Sequence, residues 1–132
     1  MAAINTSTQV SGVEMTVELE LIFRFEAAHR LPKVPAGHKC GRLHGHSYVV
    51  GVVCSGEVEA EFGWLVDFGE VKRILTPVFN TLDHSNLNDI LQNPTSELLA
   101  AYILDACKTL IPAVTGVWVS ETRNSKVRVN AV

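Results

Sequence analysis

The stretch Val17-Glu-Leu-Glu-Leu-Ile-Phe-Arg-Phe-Glu-Ala-Ala-His29 alternates between apolar and mainly polar side chains. One parity is apolar from Val17 to Ala27, whereas the other parity is mostly charged. A period of two residues is typical of a β-strand with one face in a core. Because His29 continues the apolar parity, we expect its imidazole on the sheltered side of the strand.

Histidines concentrate at the end of this predicted strand. Four of the five histidines fall within residues 29–46, which are 18 of the chain's 132 residues. Histidine is the commonest side-chain ligand of transition metals in proteins. No acidic residue occurs between Glu26 and Glu57, so the stretch is cationic in a chain whose net charge is −3. Its cations are Arg30, Lys33, Lys39 and Arg42.

A second strand is predicted from His44 to Cys54, closed by a Ser55-Gly56 turn. His44 and His46 are two residues apart, so they face the same side of a strand, about 6.6 Å apart along the backbone. Pairing of the two strands would bring His29 to them as a third imidazole. Three protein ligands leave a fourth position open, as in catalytic zinc sites. The alternatives are nickel, copper or iron, or three separate polar residues at strand ends.

Two helices are predicted after the second strand. The first follows Asp67, an expected N-cap, and extends to Leu82 at helical spacing. Pro77 lies inside it and is expected to kink or break it, because proline has no N–H to donate. The second helix begins near residues 93–97 and extends to Pro112.

The C-terminal part alternates again and predicts a β-hairpin. Its strands are residues 117–122 and 127–131, joined by a short turn at residues 123–124. The order of elements predicts an α+β fold, with a four-stranded antiparallel sheet and both helices on one face. The outer strands of such a sheet are open edges, which need a cover or another subunit.

Cys40 is a candidate base or nucleophile. Lys39, Arg42 and the expected metal lie near it in sequence, and positive charge favours a thiolate. Cys54 and Cys107 lie on an apolar strand parity and in a helix, so we expect them in the core.

Two further positions carry carboxylates that are candidates for function. Asp83 directly precedes His84, and a carboxylate beside an imidazole fixes its tautomer for proton transfer. The alternative is an ordinary loop aspartate at the end of a helix. Glu121 lies on the apolar parity of its strand, where a ligand with paired N–H donors, such as a pterin or purine edge, would satisfy it. The alternative is a strand-end glutamate that reaches solvent.

Composition restricts the class of protein. The chain fits one domain, residues 14–132, with a poorly ordered tail over residues 1–13. Three cysteines without paired spacing favour a reducing compartment, and we expect a cytoplasmic location. No long apolar run indicates a membrane span, and the mild acidity argues against nucleic-acid binding. The cationic stretch suits an anionic small molecule, although loop cations are usually only solvated.

Five short motifs occur together in one order, and the whole set resembles the 6-pyruvoyl-tetrahydropterin synthase family. They are Phe25-x-Ala27-Ala28-His29, Cys40-x-x-x-His44-Gly45-His46, Leu82-Asp83-His84-x-x-Leu87-Asn88, Pro94-Thr95-Ser96-Glu97 and Glu121-Thr122. The three residues between Cys40 and His44 resemble the 6-carboxy-5,6,7,8-tetrahydropterin synthase branch, which serves queuosine biosynthesis. The turn at residues 123–125 departs from that branch.

The resemblance implies a role for each matching residue. His29, His44 and His46 would bind Zn2+. Cys40, Asp83 and His84 would be the catalytic residues. Glu121 would bind the pterin, and Thr95 and Glu97 would assist it.

The resemblance also implies an activity and an assembly. The substrate would be 7,8-dihydroneopterin triphosphate, and the products 6-carboxy-5,6,7,8-tetrahydropterin, acetaldehyde and triphosphate. The near alternatives are 6-pyruvoyl-tetrahydropterin synthase activity and a non-catalytic pterin- or metal-binding protein. The implied tunnelling fold joins sheets into a barrel in trimers, and two trimers stack as a homohexamer with sites between subunits.

Overall fold

A computed structural model describes residues 15–132, so the tail expected over residues 1–13 lies outside the described residues. The described chain has five strands and two α-helices. Their bounds are β1 Thr16–His29, β2 His44–Glu57, α1 Phe68–Leu82, β3 Ser85–Asn86, α2 Ser96–Leu110, β4 Val114–Thr122 and β5 Ser125–Asn130. Single-turn 3-10 helices occur at Lys39–Gly41 and Leu87–Asp89.

One mixed sheet has the strand order β3-β1-β2-β4-β5. All neighbours are antiparallel except β3, which runs parallel to β1 through the pairs Ala27 with Ser85 and Ala28 with Asn86. The predicted α+β class is confirmed, whereas the prediction of four antiparallel strands is wrong. The strand that was not predicted is β3. It is only two residues long, so it has no side-chain alternation by which the sequence could have indicated it.

The pairing of β1 with β2 places the histidines as expected. His29 lies opposite His44, and Ala27 lies opposite His46. The predicted turn at Ser55-Gly56 is wrong, because both residues continue the pairing with β1 and the strand extends to Glu57. The predicted start of the hairpin is also three residues late, since β4 begins at Val114.

Both helices begin where side-chain caps satisfy their first amides. Asp67 accepts a hydrogen bond from the Gly69 N–H at the start of α1, with a length of 3.0 Å. Helix α1 is continuous through Pro77, so of the two predicted effects, a kink or a break, the break does not occur. Pro77 is exposed, which leaves the carbonyl freed by the missing N–H close to solvent. Among residues 15–132, no helix is long and apolar enough to cross a membrane.

The core lies between one face of the sheet and the two helices. Phe23 of β1 stacks on Phe79 of α1 with ring centroids 4.2 Å apart. On the other face the Trp118 indole covers Gly51, and its Nε1–H donates to the Glu20 carboxylate at 2.7 Å. On the face of β1 and β2 that the helices cover, the core residues are followed by His29, His44 and His46. The three histidines therefore lie at the edge of the core.

Candidate metal centre and adjoining groove

Three imidazoles converge at the paired ends of β1 and β2. One ligand atom from each of His29, His44 and His46 lies within 4.8 Å of the other two. His29 is buried at 1% exposure, and the other two rings are half-buried. The strand pairing thus forms a group that could hold a metal ion, as the spacing predicted.

Hydrogen bonds to the main chain fix two of the imidazole tautomers. His29 Nδ1 lies 2.8 Å from the Pro94 carbonyl oxygen, and His44 Nδ1 lies 2.7 Å from the Arg42 carbonyl oxygen. A carbonyl only accepts, so each Nδ1 carries the proton and each Nε2 presents a lone pair. The hydrogen bond at Nδ1 of each ring therefore leaves Nε2 unprotonated and able to bind a metal ion.

The inner nitrogens fit a bound cation. His29 Nε2 and His44 Nε2 lie 3.1 Å apart, where two lone pairs repel each other unless a positive charge lies between them. His46 Nε2 is buried and has no aligned hydrogen-bond partner. Tetrahedral ligands at zinc–nitrogen distances of about 2.0–2.1 Å are separated by roughly 3.3 Å, close to the distance seen. The donor set and its unsatisfied nitrogens thus match an imidazole-bound metal.

Glu121 connects the metal site to the start of α2. One carboxylate oxygen lies 3.2 Å from His46 Nε2, within ion-pair distance but poorly aligned for a hydrogen bond. The other oxygen accepts a short hydrogen bond from the Ser96 hydroxyl. Burial lowers the pKa of His46, and the Glu121 carboxylate partly offsets that shift. Glu121 therefore has polar neighbours from the chain itself at both oxygens, His46 at one and Ser96 at the other.

Asp83 and His84 form a dyad at the end of α1. Asp83 Oδ2 lies 3.0 Å from His84 Nδ1, and Asp83 Oδ1 accepts from the Glu26 N–H at 2.9 Å. His84 has a left-handed backbone with φ 58°, and its N–H donates to the Glu26 carbonyl at 2.5 Å. The hydrogen bond from the Glu26 N–H lowers the pKa of Asp83 below its usual value, and the neighbouring His84 lowers it further. Asp83 thus stays ionised and orients an imidazole that is 79% exposed.

An open groove of about 420 Å³ runs along the ends of β1 and β2 beside the dyad. His84 and His46 both line it, and so do Glu26 and Ser47, whose side chains are hydrogen-bonded at 2.6 Å. Cys40 is not among the lining residues of this groove. A single chain therefore places His84 and His46 on one groove and leaves Cys40 outside its lining.

Cys40 lies in the 3-10 turn at Lys39–Gly41 and is half-buried. The Cys40 N–H donates to His38 Nδ1 at 3.0 Å, so His38 caps this turn and lies outside the metal group. Cys54 and Cys107 are fully buried, as predicted for core residues. Burial raises the pKa of Cys54 and raises that of Cys107 to about 12, so both thiols stay protonated at neutral pH.

The two predicted helper residues lie at the start of α2. Thr95 is the N-cap and accepts from the Leu98 N–H at 3.1 Å, while Glu97 is exposed in the first turn. Ser96, which contacts Glu121, was missed as a site residue. The available signal was its place between Thr95 and Glu97, in the motif that already supplied two candidates.

A second pocket lies within the cationic loop after β1. Its volume is about 280 Å³, and its lining includes Arg30, His38 and Arg42 but neither Lys33 nor Lys39. The structure thus separates the four cations of the loop into two that border a concave surface and two that do not.

Comparison with known proteins agrees with the geometry. The family model of 6-pyruvoyl tetrahydropterin synthase matches residues 18–131. A relative from Synechocystis named 6-carboxy-5,6,7,8-tetrahydropterin synthase is 41% identical over 80% of this chain and 87% of its own. A relative from Archaeoglobus fulgidus, named putative 6-carboxy-5,6,7,8-tetrahydropterin synthase, is 46% identical over 55% of this chain. That alignment spans 60% of the relative, which is less than two thirds of its length.

Two further comparisons broaden the range of named activities. A relative from Pyrococcus furiosus named dihydroneopterin monophosphate aldolase is 35% identical over 73% of this chain and 81% of its own. The solved 6-pyruvoyl tetrahydropterin synthase of Caenorhabditis elegans is 28% identical and superimposes with a TM-score of 0.82, covering 89% of this chain and 97% of that one. The chain therefore belongs to the 6-pyruvoyl tetrahydropterin synthase family.

Proposed function

We propose that the protein is a zinc-dependent lyase that converts 7,8-dihydroneopterin triphosphate to 6-carboxy-5,6,7,8-tetrahydropterin. The observation that carries this proposal is the opposed pair of Nε2 lone pairs on His29 and His44, with the unsatisfied Nε2 of His46 beside them. The Synechocystis relative, which bears the name of this synthase, supports the choice within the family.

The proposed reaction balances with one molecule of water. Elimination of triphosphate and tautomerisation leave a dicarbonyl side chain on a tetrahydropterin. Water then adds to the carbonyl next to the ring, and the bond between the two carbonyl carbons breaks. The ring keeps the carboxyl carbon, and the remaining two carbons leave as acetaldehyde.

The side chains divide the chemistry among them. When bound, zinc polarises the substrate's side-chain oxygens as a Lewis acid. Cys40 as a thiolate removes a proton from the side chain, and His84, held by Asp83 at 3.0 Å, returns one. Glu121 accepts the paired N–H groups of the pterin, while Thr95 and Glu97 assist from the start of α2.

A complete site is proposed to need a second copy of the chain. His84 borders the groove at His46, whereas Cys40 does not, so the Cys40 of one chain would act with Asp83 and His84 of a neighbour. Strand β1 pairs with β3 only at residues 27 and 28, and β5 is the other outer strand. In the proposed assembly, the β1–β3 edge of one copy pairs with the β5 edge of the next copy. Repeating this contact closes a ring of three chains, and two such rings stack as a hexamer.

The triphosphate is proposed to lie against the cationic loop. Arg30 and Arg42 border its pocket, and guanidinium groups bind phosphate oxygens in pairs. This narrows the phosphate candidates from four cations to two.

Product analysis tests the proposal. Protein loaded with zinc is incubated with dihydroneopterin triphosphate, and the products are identified by mass spectrometry. A carboxypterin with acetaldehyde is expected, with turnover lost in Cys40→Ala. A pyruvoyl pterin would instead assign the 6-pyruvoyl activity, and binding without turnover a non-catalytic pterin protein.

A parallel incubation with dihydroneopterin monophosphate tests the activity named for the Pyrococcus relative. Turnover of the monophosphate alone would overturn the proposed triphosphate substrate. Elemental analysis of protein purified without added metal should find about one equivalent of zinc per chain.

A further inference from the structure

The Asn88 side chain binds the main chain of Arg30 on both sides. Asn88 Oδ1 accepts from the Arg30 N–H at 2.8 Å, and Asn88 Nδ2 donates to the Arg30 carbonyl at 2.9 Å. A primary amide that uses one donor and one acceptor on a single residue imitates the pairing of a neighbouring strand. Arg30 directly follows His29, so this contact continues the edge of the sheet just beyond a metal ligand.

The other end of the same segment is also attached to β1. Asp83 Oδ1 accepts from the Glu26 N–H, and the His84 N–H donates to the Glu26 carbonyl. Between these two ends, β3 pairs with Ala27 and Ala28. Residues 83–88 therefore lie along residues 26–30 of the chain and are joined to them at both ends.

We propose that Asn88 is a positioning residue that fixes His84 by holding the far end of its segment against β1. Without Asn88 the segment keeps its attachment at Glu26 but loses the one beside His29. The imidazole of His84 is 79% exposed, so its place depends on the backbone that carries it rather than on packing. The inference rests on the proposed function, since it assigns Asn88 to the placement of the proton donor.

The same contact also fixes the start of the cationic loop. Arg30 borders the pocket of that loop, and its main chain is held by Asn88. The Leu31 N–H, next along the chain, donates to the Cys40 carbonyl at 2.8 Å. Asn88 thus links the dyad segment to the loop that presents Cys40.

Two variants probe the two hydrogen bonds. Asn88→Ala removes both, whereas Asn88→Asp keeps the acceptor for the Arg30 N–H and turns an oxygen toward the Arg30 carbonyl. We expect kcat to fall by on the order of tenfold to a hundredfold in each, because small displacements of a proton donor are costly. The zinc content is expected to stay near the wild-type value, since neither variant removes a metal ligand.

Two controls separate positioning from a general loss of stability. Asn80→Ala removes an exposed amide on α1, and Ile103→Val trims a fully buried side chain in α2. Both are expected to keep kcat near that of the wild type. If Ile103→Val lowers kcat as much as Asn88→Ala at a similar loss of thermal midpoint, or if Asn88→Ala keeps full kcat, the proposal is wrong.

Hydrogen exchange gives a readout that does not need turnover. In zinc-loaded protein, amides of residues 83–88 should exchange faster in Asn88→Ala than in the wild type or Asn80→Ala. Unchanged exchange there would overturn the inference even if activity fell. Absence of turnover in the wild type would refute the proposed function, and the exchange result would still decide whether Asn88 holds the segment.

Discussion

His29 Nε2 and His44 Nε2 lie 3.1 Å apart, while the Nδ1 of each ring faces a main-chain carbonyl oxygen. The main chain therefore holds both rings with their lone pairs turned toward one point. This arrangement costs free energy in the metal-free protein and is relieved when a cation binds.

The proposed zinc site predicts that His44→Ala binds little zinc, because two imidazoles bind the metal more weakly than three. The measurement is elemental analysis of protein purified without added metal. His38→Ala is the matched control, since His38 lies in the preceding loop and outside the metal group. A full equivalent of zinc in His44→Ala would contradict the assignment.

Removal of zinc by a chelator should lower the thermal midpoint. A ligand that binds only the folded state stabilises it by RT ln(1 + L/Kd), where L is the free ligand concentration. Calorimetry of the wild type before and after chelation is the measurement, and the shift should be absent in His44→Ala. A midpoint that chelation leaves unchanged would count against a metal site at these histidines.

Ser96→Ala should weaken pterin binding through Glu121. The Ser96 hydroxyl donates to one Glu121 oxygen, and loss of a hydrogen bond to a charged group costs about 1.5–3 kcal/mol. A rise in KM of roughly tenfold is expected from steady-state kinetics. Ser120→Ala is the control, because it removes a hydroxyl from the adjacent residue on the opposite face of β4. Equal KM values in the two variants would show that Ser96 has no part in pterin binding.

The Asp83 carboxylate should stabilise the fold only while it is ionised. Its pKa in the folded protein is lowered, first by the Glu26 N–H and then by His84. Its stabilising contribution is therefore present above the ordinary carboxyl pKa of about 4 and is lost as the pH falls through the lower folded value. Thermal midpoints of the wild type and Asp83→Asn should differ at pH 6 and converge in acid. A constant difference across this range would contradict the linkage.

Gly51→Ala should destabilise the sheet. A Cβ at this position would lie 2.1 Å from Trp118 Nε1, so the indole must move and give up its bond to Glu20. Overpacking of this kind costs about 1–3 kcal/mol, to be measured by urea unfolding. Gly69→Ala is the control, since its nearest neighbour would be 3.5 Å away and its helical position tolerates alanine. A neutral Gly51→Ala would show that Trp118 repacks without cost.

The metal group was predictable because the strand period is rigid. Alternation placed His29 on the buried parity, and a spacing of two placed His44 and His46 on one side. Antiparallel pairing of consecutive strands then brought the three together. Predicting that the three histidines lie together needed only the alternation within each strand and the pairing of two consecutive strands. Both can be inferred from the sequence.

Contacts through the main chain were not predictable in the same way. The β3 pairing and the bonds of Asp83 and Asn88 to residues of β1 involve backbone groups, which every residue carries. Side-chain periodicity holds no information on such contacts. The bond from Ser96 to Glu121 depends on how α2 packs on β4, which is a tertiary relation across 25 residues.

The two cationic residues that border the loop pocket should bind triphosphate more strongly than the two that do not. Arg42→Gln is expected to weaken binding of inorganic triphosphate about tenfold, the effect of losing a charge-assisted hydrogen bond. Lys33→Gln removes the same charge from the same loop but from outside the pocket lining, so its effect should stay within about twofold and fade with added salt. Isothermal titration at two salt concentrations measures both. Equal losses in the two variants would mean that the loop acts through its overall charge, and the pocket would then have no specific part in holding the phosphates.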